Sequence, residues 1–285
     1  MHPVVFKDVW FSWPAEDDAE EQELFRDLSL ELPAGFGFVV GPNGIGKSTM
    51  MLLAAGRIFP DAGTVSLLGT DTRTYADAFG DPALEQERNL RASVVYQNME
   101  FETEEPIEAV FAMVCEAAAD PQRARAALPG LLEAAGLSDR MQTRMHELSK
   151  GEMQRAIVVM SLLYGSPVIF MDEPVFAVEP ARAEQLLAAV RRHCAEYGIS
   201  VWVSVHDVEL ARRFADLVLL FDTERRAQVG PPEELLSRER LEDAFRAPYD
   251  TLYARQNLYR ELLTRSFSED ERVSDDDPTA GGSGS

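Results

Sequence analysis

The chain has 285 residues, 46 % hydrophobic and 27 % charged, and its 49 Asp and Glu against 27 Lys and Arg give a formal charge of −22. That composition supplies a core for one large domain or two small ones and excludes a wholly disordered chain. The acidic excess also argues against attraction to phosphate backbones or anionic lipid, which needs clustered Lys and Arg, so no nucleic acid is expected as a partner.

Val4 to Trp13 and Leu24 to Leu32 read as β-strands, the second alternating through Leu24, Leu28, Leu30 and Leu32, with the acidic run Glu16 to Glu23 as a solvated hairpin loop between them. Gly35 to Val40 predicts a short buried strand ending in a Gly-rich turn, and Thr49 to Arg57 a helix directly after it. Thr64 to Leu68 is a further strand, Ala76 to Leu90 a polar, partly helical excursion, and Ala92 to Tyr96 the next strand. From Pro106 to Leu137 the pattern turns helical, with expected breaks at Pro121 and Pro129-Gly130, and reads as an inserted subdomain.

Then come a helix (Lys150 to Leu163), an apolar strand (Val168 to Met171), a helix (Ala181 to Tyr197), a strand (Ser200 to Val205), a helix (Val208 to Phe214) and a strand (Leu217 to Phe221). That alternation indicates a parallel sheet covered on both faces. Beyond Pro232 a helical stretch is expected to about Phe267, followed by an acidic, then Gly/Ser-rich end with the composition of a disordered tail.

Cys115 and Cys194 lie far apart without C-x-x-C spacing, which suits packing residues in a reducing compartment. The N-terminus lacks the basic-then-apolar layout of a signal peptide. The longest apolar stretch, Ala156 to Met171, is interrupted by Tyr164-Gly165-Ser166-Pro167 and falls short of the roughly 20 residues of a membrane span. A cytoplasmic location is expected.

Three segments carry chemistry. Gly41-Pro42-Asn43-Gly44-Ile45-Gly46-Lys47-Ser48 fits G-x-x-x-x-G-K-[ST], in which backbone N–H groups wrap phosphates, the Lys reaches the β/γ-phosphates and the hydroxyl binds Mg²⁺. Val168-Ile169-Phe170-Met171-Asp172-Glu173 delivers two carboxylates at the end of a buried strand, where Asp172 is placed to hold Mg²⁺ and Glu173 to act on a water. Leu148-Ser149-Lys150-Gly151-Glu152 opens a helix, and its Ser, Gly and helix N-terminus suit an anion as well as an ordinary cap.

GPNGIGKST, Tyr96-Gln97, LSKGE, VIFMDEP and Ser204-Val205-His206-Asp207, in that order, resemble the nucleotide-binding subunit of ATP-binding cassette (ABC) proteins over about Val4 to Leu236. The resemblance implies an α/β fold: a P-loop NTPase core with a mixed, largely parallel sheet, an N-terminal antiparallel β subdomain and an inserted α-helical subdomain at about residues 100–160. It implies a nucleotide-binding domain over 1–237, after which pattern and composition indicate a helical extension over 238–267 and a disordered tail over 268–285. It also implies ATP and Mg²⁺ as ligands, and ATP hydrolysis by a head-to-tail dimer.

Position by position, Trp13 matches the aromatic that stacks on adenine, Gly41 to Thr49 the phosphate loop, and Lys47, Ser48 and Thr49 its phosphate and magnesium contacts. Gln97 matches the glutamine that contacts the metal and attacking water. Ser149 and Gly151 match the signature that closes on the γ-phosphate of the opposite subunit. Asp172 and Glu173 match the metal-binding and catalytic carboxylates, Glu179 the carboxylate of the loop that crosses the dimer, and His206 the switch histidine at the γ-phosphate.

Three departures stand out: Lys150 replaces the usual signature Gly, Glu152 the usual Gln, and Val175-Phe176-Ala177-Val178-Glu179 the usual Thr-Ser-Ala-Leu-Asp. Lys150 either adds a cation near the γ-phosphate or crowds a backbone approach that Gly permits. The expected partners are integral membrane permease subunits and a second ABC ATPase chain, with the protein peripheral on the inner face of the cell membrane and import favoured. The competing readings are a soluble ABC ATPase acting on nucleic acid, the ribosome or cofactor assembly, and a hydrolysis-impaired half of a heterodimer.

Overall fold

The computed structural model describes residues 2–14, 22–96, 99, 103–176 and 178–254. The N-terminal strands β1 (Val4–Trp13) and β2 (Gln22–Leu32) pair antiparallel. Their buried residues do not alternate simply: Val4 and Phe6 are followed by Val9 and Phe11, and Phe25 by Leu28, Leu30 and Leu32. Asp8 and Asp27, both at positive φ (50° and 55°), take up the extra residue as bulges and return each apolar series to one face. With β4 (Ala62–Leu67) and β5 (Thr70–Asp71) they form a four-stranded sheet ordered β2-β1-β4-β5.

The second sheet has six strands in the order β10-β9-β3-β8-β7-β6. Its members are β3 (Phe36–Val40), β6 (Ala92–Val95), β7 (Val168–Asp172), β8 (Ser200–Ser204), β9 (Leu217–Phe221) and β10 (Ala227–Gly230). All its pairs are parallel except β9 with β10, so the sheet is mixed. β3 and β8 are buried along their whole length, because both sheet faces are covered; β3 reads as Phe-Gly-Phe-Val-Val and β8 as an apolar Val201-Trp202-Val203 between two serines.

Helix α1 (Lys47–Ala54) lies between the two sheets, and its Met50, Met51 and Leu53 pack with Phe25, Phe170, Trp202 and Phe221. α2 (Pro82–Arg91) leads into β6. On the other face of the large sheet a second core joins α3 (Ile107–Ala117), α4 (Pro121–Ala135), α5 (Lys150–Tyr164), α6 (Pro180–Tyr197) and α7 (Val208–Phe214). Cys115 and Cys194 are buried there as free thiols, and burial pushes Cys194 up to about 12. Among the described residues no helix is long and apolar enough to cross a membrane.

Two expectations need correction. Pro129 does not break the chain, because α4 runs through it to Ala135. Pro129 and Arg125, whose carbonyl loses its helical donor, both face solvent, while Ala124, Leu131, Leu132 and Ala135 hold the opposite face in the core. The stretch after Pro232 is not one helix but α8 (Pro232–Leu235), α9 (Arg238–Phe245) and a further turn over 249–254. Arg246, left-handed at φ 50°, and Pro248 end α9.

The strand β10 was not anticipated, since Ala-Gln-Val-Gly carries no apolar run. A turn creates it: Asp222 Oδ1 accepts from the N–H groups of Glu224 (2.8 Å) and Arg226 (3.0 Å) and turns the chain back along β9. The acidic loop lies mostly outside the described residues, as do Gln97 and everything after 254.

Candidate nucleotide site

β3, β8 and β7 are parallel neighbours, so their C-terminal ends share one edge, with Ser204 level with both Val39 and Asp172. The chain leaving β3 forms the glycine-rich loop. Gly46 caps α1 at φ 112°, and a Cβ there would lie 2.7 Å from the Phe25 ring, so both conformation and space require glycine. Asn43, Gly44 and Ser48 are exposed, whereas Gly41, Ile45, Lys47 and Thr49 are buried.

The Lys47 ammonium donates to the carbonyls of Gly41 (3.0 Å) and Pro42 (3.1 Å), curling the loop around itself. Burial lowers its pKa, and the nearby Glu173 and Asp172 oppose that shift. Its cation therefore lies within electrostatic reach of the two carboxylates at the end of β7. Trp13, at the end of β1, donates from Nε1 to the Thr49 hydroxyl (3.3 Å) and packs edge-on against Phe11. It is 38 % exposed, so an aromatic ring stands beside the loop with open surface.

Ser204 ties the carboxylates to the sheet. Its hydroxyl donates to Asp172 Oδ1 and accepts from the Glu173 N–H (2.9 Å). The motif Ser204-Val205-His206-Asp207 by itself assigns this serine no role; its signal in the sequence is a hydroxyl closing the otherwise apolar strand Val201-Trp202-Val203. Glu173 sits at φ 49°, a left-handed conformation that costs a non-glycine residue free energy and commonly marks functional turns. Its carboxylate meets His206 Nε2 in close polar contact. Asp207 caps α7 by accepting from the N–H groups of Glu209 (2.9 Å) and Leu210 (3.3 Å), which places His206 at the head of that helix.

Lys47, Asp172, Glu173, Ser204 and His206 thus converge on one sheet edge, with Trp13 and Ser48 beside them. Ser149 and Gly151 stand apart on the helical subdomain. Ser149 caps α5 in a reciprocal box: its hydroxyl accepts from the Glu152 N–H (3.2 Å), and Glu152 Oε2 accepts from the Ser149 N–H (3.0 Å) and hydroxyl (2.9 Å). Arg140 donates to the other carboxylate oxygen at 2.8 Å. Burial raises the Glu152 carboxyl, but the Ser149 hydrogen bonds and Arg140 outweigh it and hold the group below its ordinary range. Lys150 is exposed and Gly151 buried. Glu179 is exposed and precedes α6, while Phe176 occupies the turn after Glu173 with its surface partly open. Gln97 lies outside the described residues.

A phosphate-sized anion fits the loop: the N–H groups at the head of α1 and the Lys47 ammonium converge on it. A divalent cation fits next to it, since the exposed Ser48 hydroxyl and the half-buried Asp172 carboxylate are the hard oxygen donors that Mg²⁺ takes. Fold and site together define a P-loop nucleotide-binding ATPase. The ABC transporter family model matches residues 25–176.

Among known proteins, the phosphonates import ATP-binding protein PhnC of Thiobacillus denitrificans is 30 % identical over 229 residues, covering 75 % of this chain and 83 % of that one. The hemin import ATP-binding protein HmuV of Rhodopseudomonas palustris is 34 % identical over 215 residues, 73 % and 76 % of the two chains. A solved structure of an ATP-binding subunit of an ABC transporter superposes with a TM-score of 0.68 at 22 % identity, over 89 % of this chain and 99 % of the other, and shares its fold. The chain belongs to the ABC transporter family, as an ATP-binding subunit that hydrolyses ATP.

Proposed function

We propose that two copies of this chain close head to tail on two ATP molecules and drive import through a separate membrane permease, with the chain peripheral on the inner membrane face. The observation that carries the catalytic part is the convergence of Lys47, Asp172, Glu173 and His206 on one sheet edge. The transport part is supported by two relatives that are import subunits. In this reading residues 1–237 form the nucleotide-binding domain, 100–160 its helical subdomain and 238–267 an extension.

ATP enters with its adenine on Trp13 and its phosphates in the loop from Gly41 to Thr49. Lys47 then exchanges the Gly41 and Pro42 carbonyls for phosphate oxygens, so the interaction that shapes the empty loop is replaced by a stronger charge-assisted one. Ser48, Asp172 and Gln97 would hold Mg²⁺, which would supply neutralisation of phosphate charge. Glu173 orients and deprotonates the attacking water as general base. The Glu173–His206 pair makes that step sensitive to ATP, because a γ-phosphate competing for His206 Nε2 releases the carboxylate toward water. Ser149 and Gly151 of the opposite copy complete the γ-phosphate shell, and Glu179 lines the crossing loop. Closure couples to the permease, and hydrolysis with phosphate release reopens the pair.

The test is recovery of the tagged chain from its native membrane in mild detergent, with ATPase assay of what is recovered. A polytopic membrane protein that co-purifies and raises ATP turnover is expected. Recovery of soluble proteins or ribosomes alone overturns the transport reading and leaves the ATPase.

A further inference from the structure

We propose that Arg140, a residue outside every nucleotide-binding motif, is a positioning residue for the signature serine, acting through Glu152. The inference rests on the head-to-tail reading above, in which Ser149 of one copy meets the γ-phosphate held by the other.

Glu152 creates a difficulty that the usual glutamine does not. A neutral amide near an incoming γ-phosphate is harmless, whereas a carboxylate three residues from Ser149 repels that phosphate and competes for the single hydroxyl proton of the serine. In the free chain it holds that proton, since the Ser149 hydroxyl donates to Glu152 Oε2 at 2.9 Å. Arg140, in the short turn Ser138–Arg140 that follows α4, answers both problems. Its Nε donates to Glu152 Oε1 at 2.8 Å, drawing charge toward the oxygen that does not face Ser149 and neutralising the carboxylate as a whole. The Glu152 side chain is only 16 % exposed, so screening by water weakens this pair less than it does a fully exposed one.

The consequence is a relay of three groups in fixed order. The guanidinium fixes the carboxylate, the carboxylate accepts from the Ser149 backbone N–H at 3.0 Å and sets the cap, and the cap sets the position of the hydroxyl. In this arrangement Arg140 acts on Ser149 only through Glu152. Its influence is conditional on the negative charge at Glu152, and this condition makes the relay testable.

The measurement is ATP-dependent dimerisation of the full-length chain, followed by light scattering, with Glu173→Gln in every variant so that bound ATP persists. ATP affinity of the chain's own loop is read separately, at protein concentrations too low for pairing. Arg140→Ala is expected to leave own-loop affinity unchanged and to raise the ATP needed for half-maximal dimerisation by about fivefold, between the effects of an exposed pair and of a charged hydrogen bond. Arg140→Lys recovers part of the loss. Glu152→Gln, which preserves the cap without the charge, is expected within about twofold of the parent, and Arg140→Ala added to it has no further effect.

If Arg140→Ala dimerises like the parent, or costs as much with Gln at 152 as with Glu, the relay is wrong while the head-to-tail reading stands. If the parent with Glu173→Gln stays monomeric in ATP, both are overturned together.

Discussion

At the scale of single residues the site is a set of paired groups waiting for a ligand. Lys47 is satisfied by loop carbonyls, Glu173 by His206, and Asp172 by Ser204, so each catalytic charge has an internal partner that nucleotide must displace or share. Lys47→Ala is expected to abolish ATP binding or hydrolysis. Glu173→Gln is expected to bind ATP like the parent and to hydrolyse it about 100-fold to 1,000-fold more slowly, as loss of a general base does; a single-turnover assay with normal turnover would show that the base is another group. Ser204→Ala leaves Asp172 and the Glu173 N–H without their shared hydroxyl. It is expected to cost about 1–3 kcal/mol in urea unfolding and to lower kcat more than it alters ATP affinity. The loop, the carboxylates and the histidine were legible because each is written within a few consecutive residues. Ser204 and Arg140 were not, because their partners lie 32 and 12 positions away and only folding brings them close.

At the scale of elements, packing decided what local preference left open. Proline inside a helix costs about 3 kcal/mol relative to alanine in a peptide, and Pro129-Gly130 looks like an end. α4 nonetheless continues, held by the four buried side chains on its inner face. Pro129→Ala is therefore expected to stabilise the protein by about 1–3 kcal/mol without altering ATPase, measured by thermal unfolding. The same helix meets α6 through a cluster in which the half-buried Arg123 guanidinium lies 3.8 Å from the Tyr197 ring centroid, next to the buried His193. Burial and then the Arg123 charge lower the His193 pKa to about 4.

A histidine depressed in the fold stabilises it fully above its unfolded value near 6.5, and that contribution falls away as the pH drops from about 6.5 toward 4, where the unfolded chain takes up the proton first. The change amounts to at most about 3 kcal/mol. In unfolding curves taken across this range, His193→Gln is expected to lose less stability on acidification than the parent; an identical pH slope in the two would exclude the histidine as the cause.

At the scale of the whole molecule, a net charge of −22 on a compact body creates self-repulsion that exposed ion pairs such as Arg191–Asp216 and Arg226–Asp222 offset only locally. Salt screens that repulsion over about 10 Å at 0.1 M and about 3 Å at 1 M, so the thermal midpoint is expected to rise between these concentrations. A midpoint that falls would mean that the ion pairs outweigh the repulsion.

The sequence by itself determined the class of chemistry, since a phosphate loop, a carboxylate pair after a buried strand and a switch histidine depend on residue types in short contiguous runs. It also determined the alternation of strands and helices, which follows from apolar periodicity. Only the tertiary structure decided which charges meet. The fold supplied adjacency across strands β7 and β8, and between α5 and the turn Ser138–Arg140, because contacts between distant positions depend on chain packing rather than on local preference.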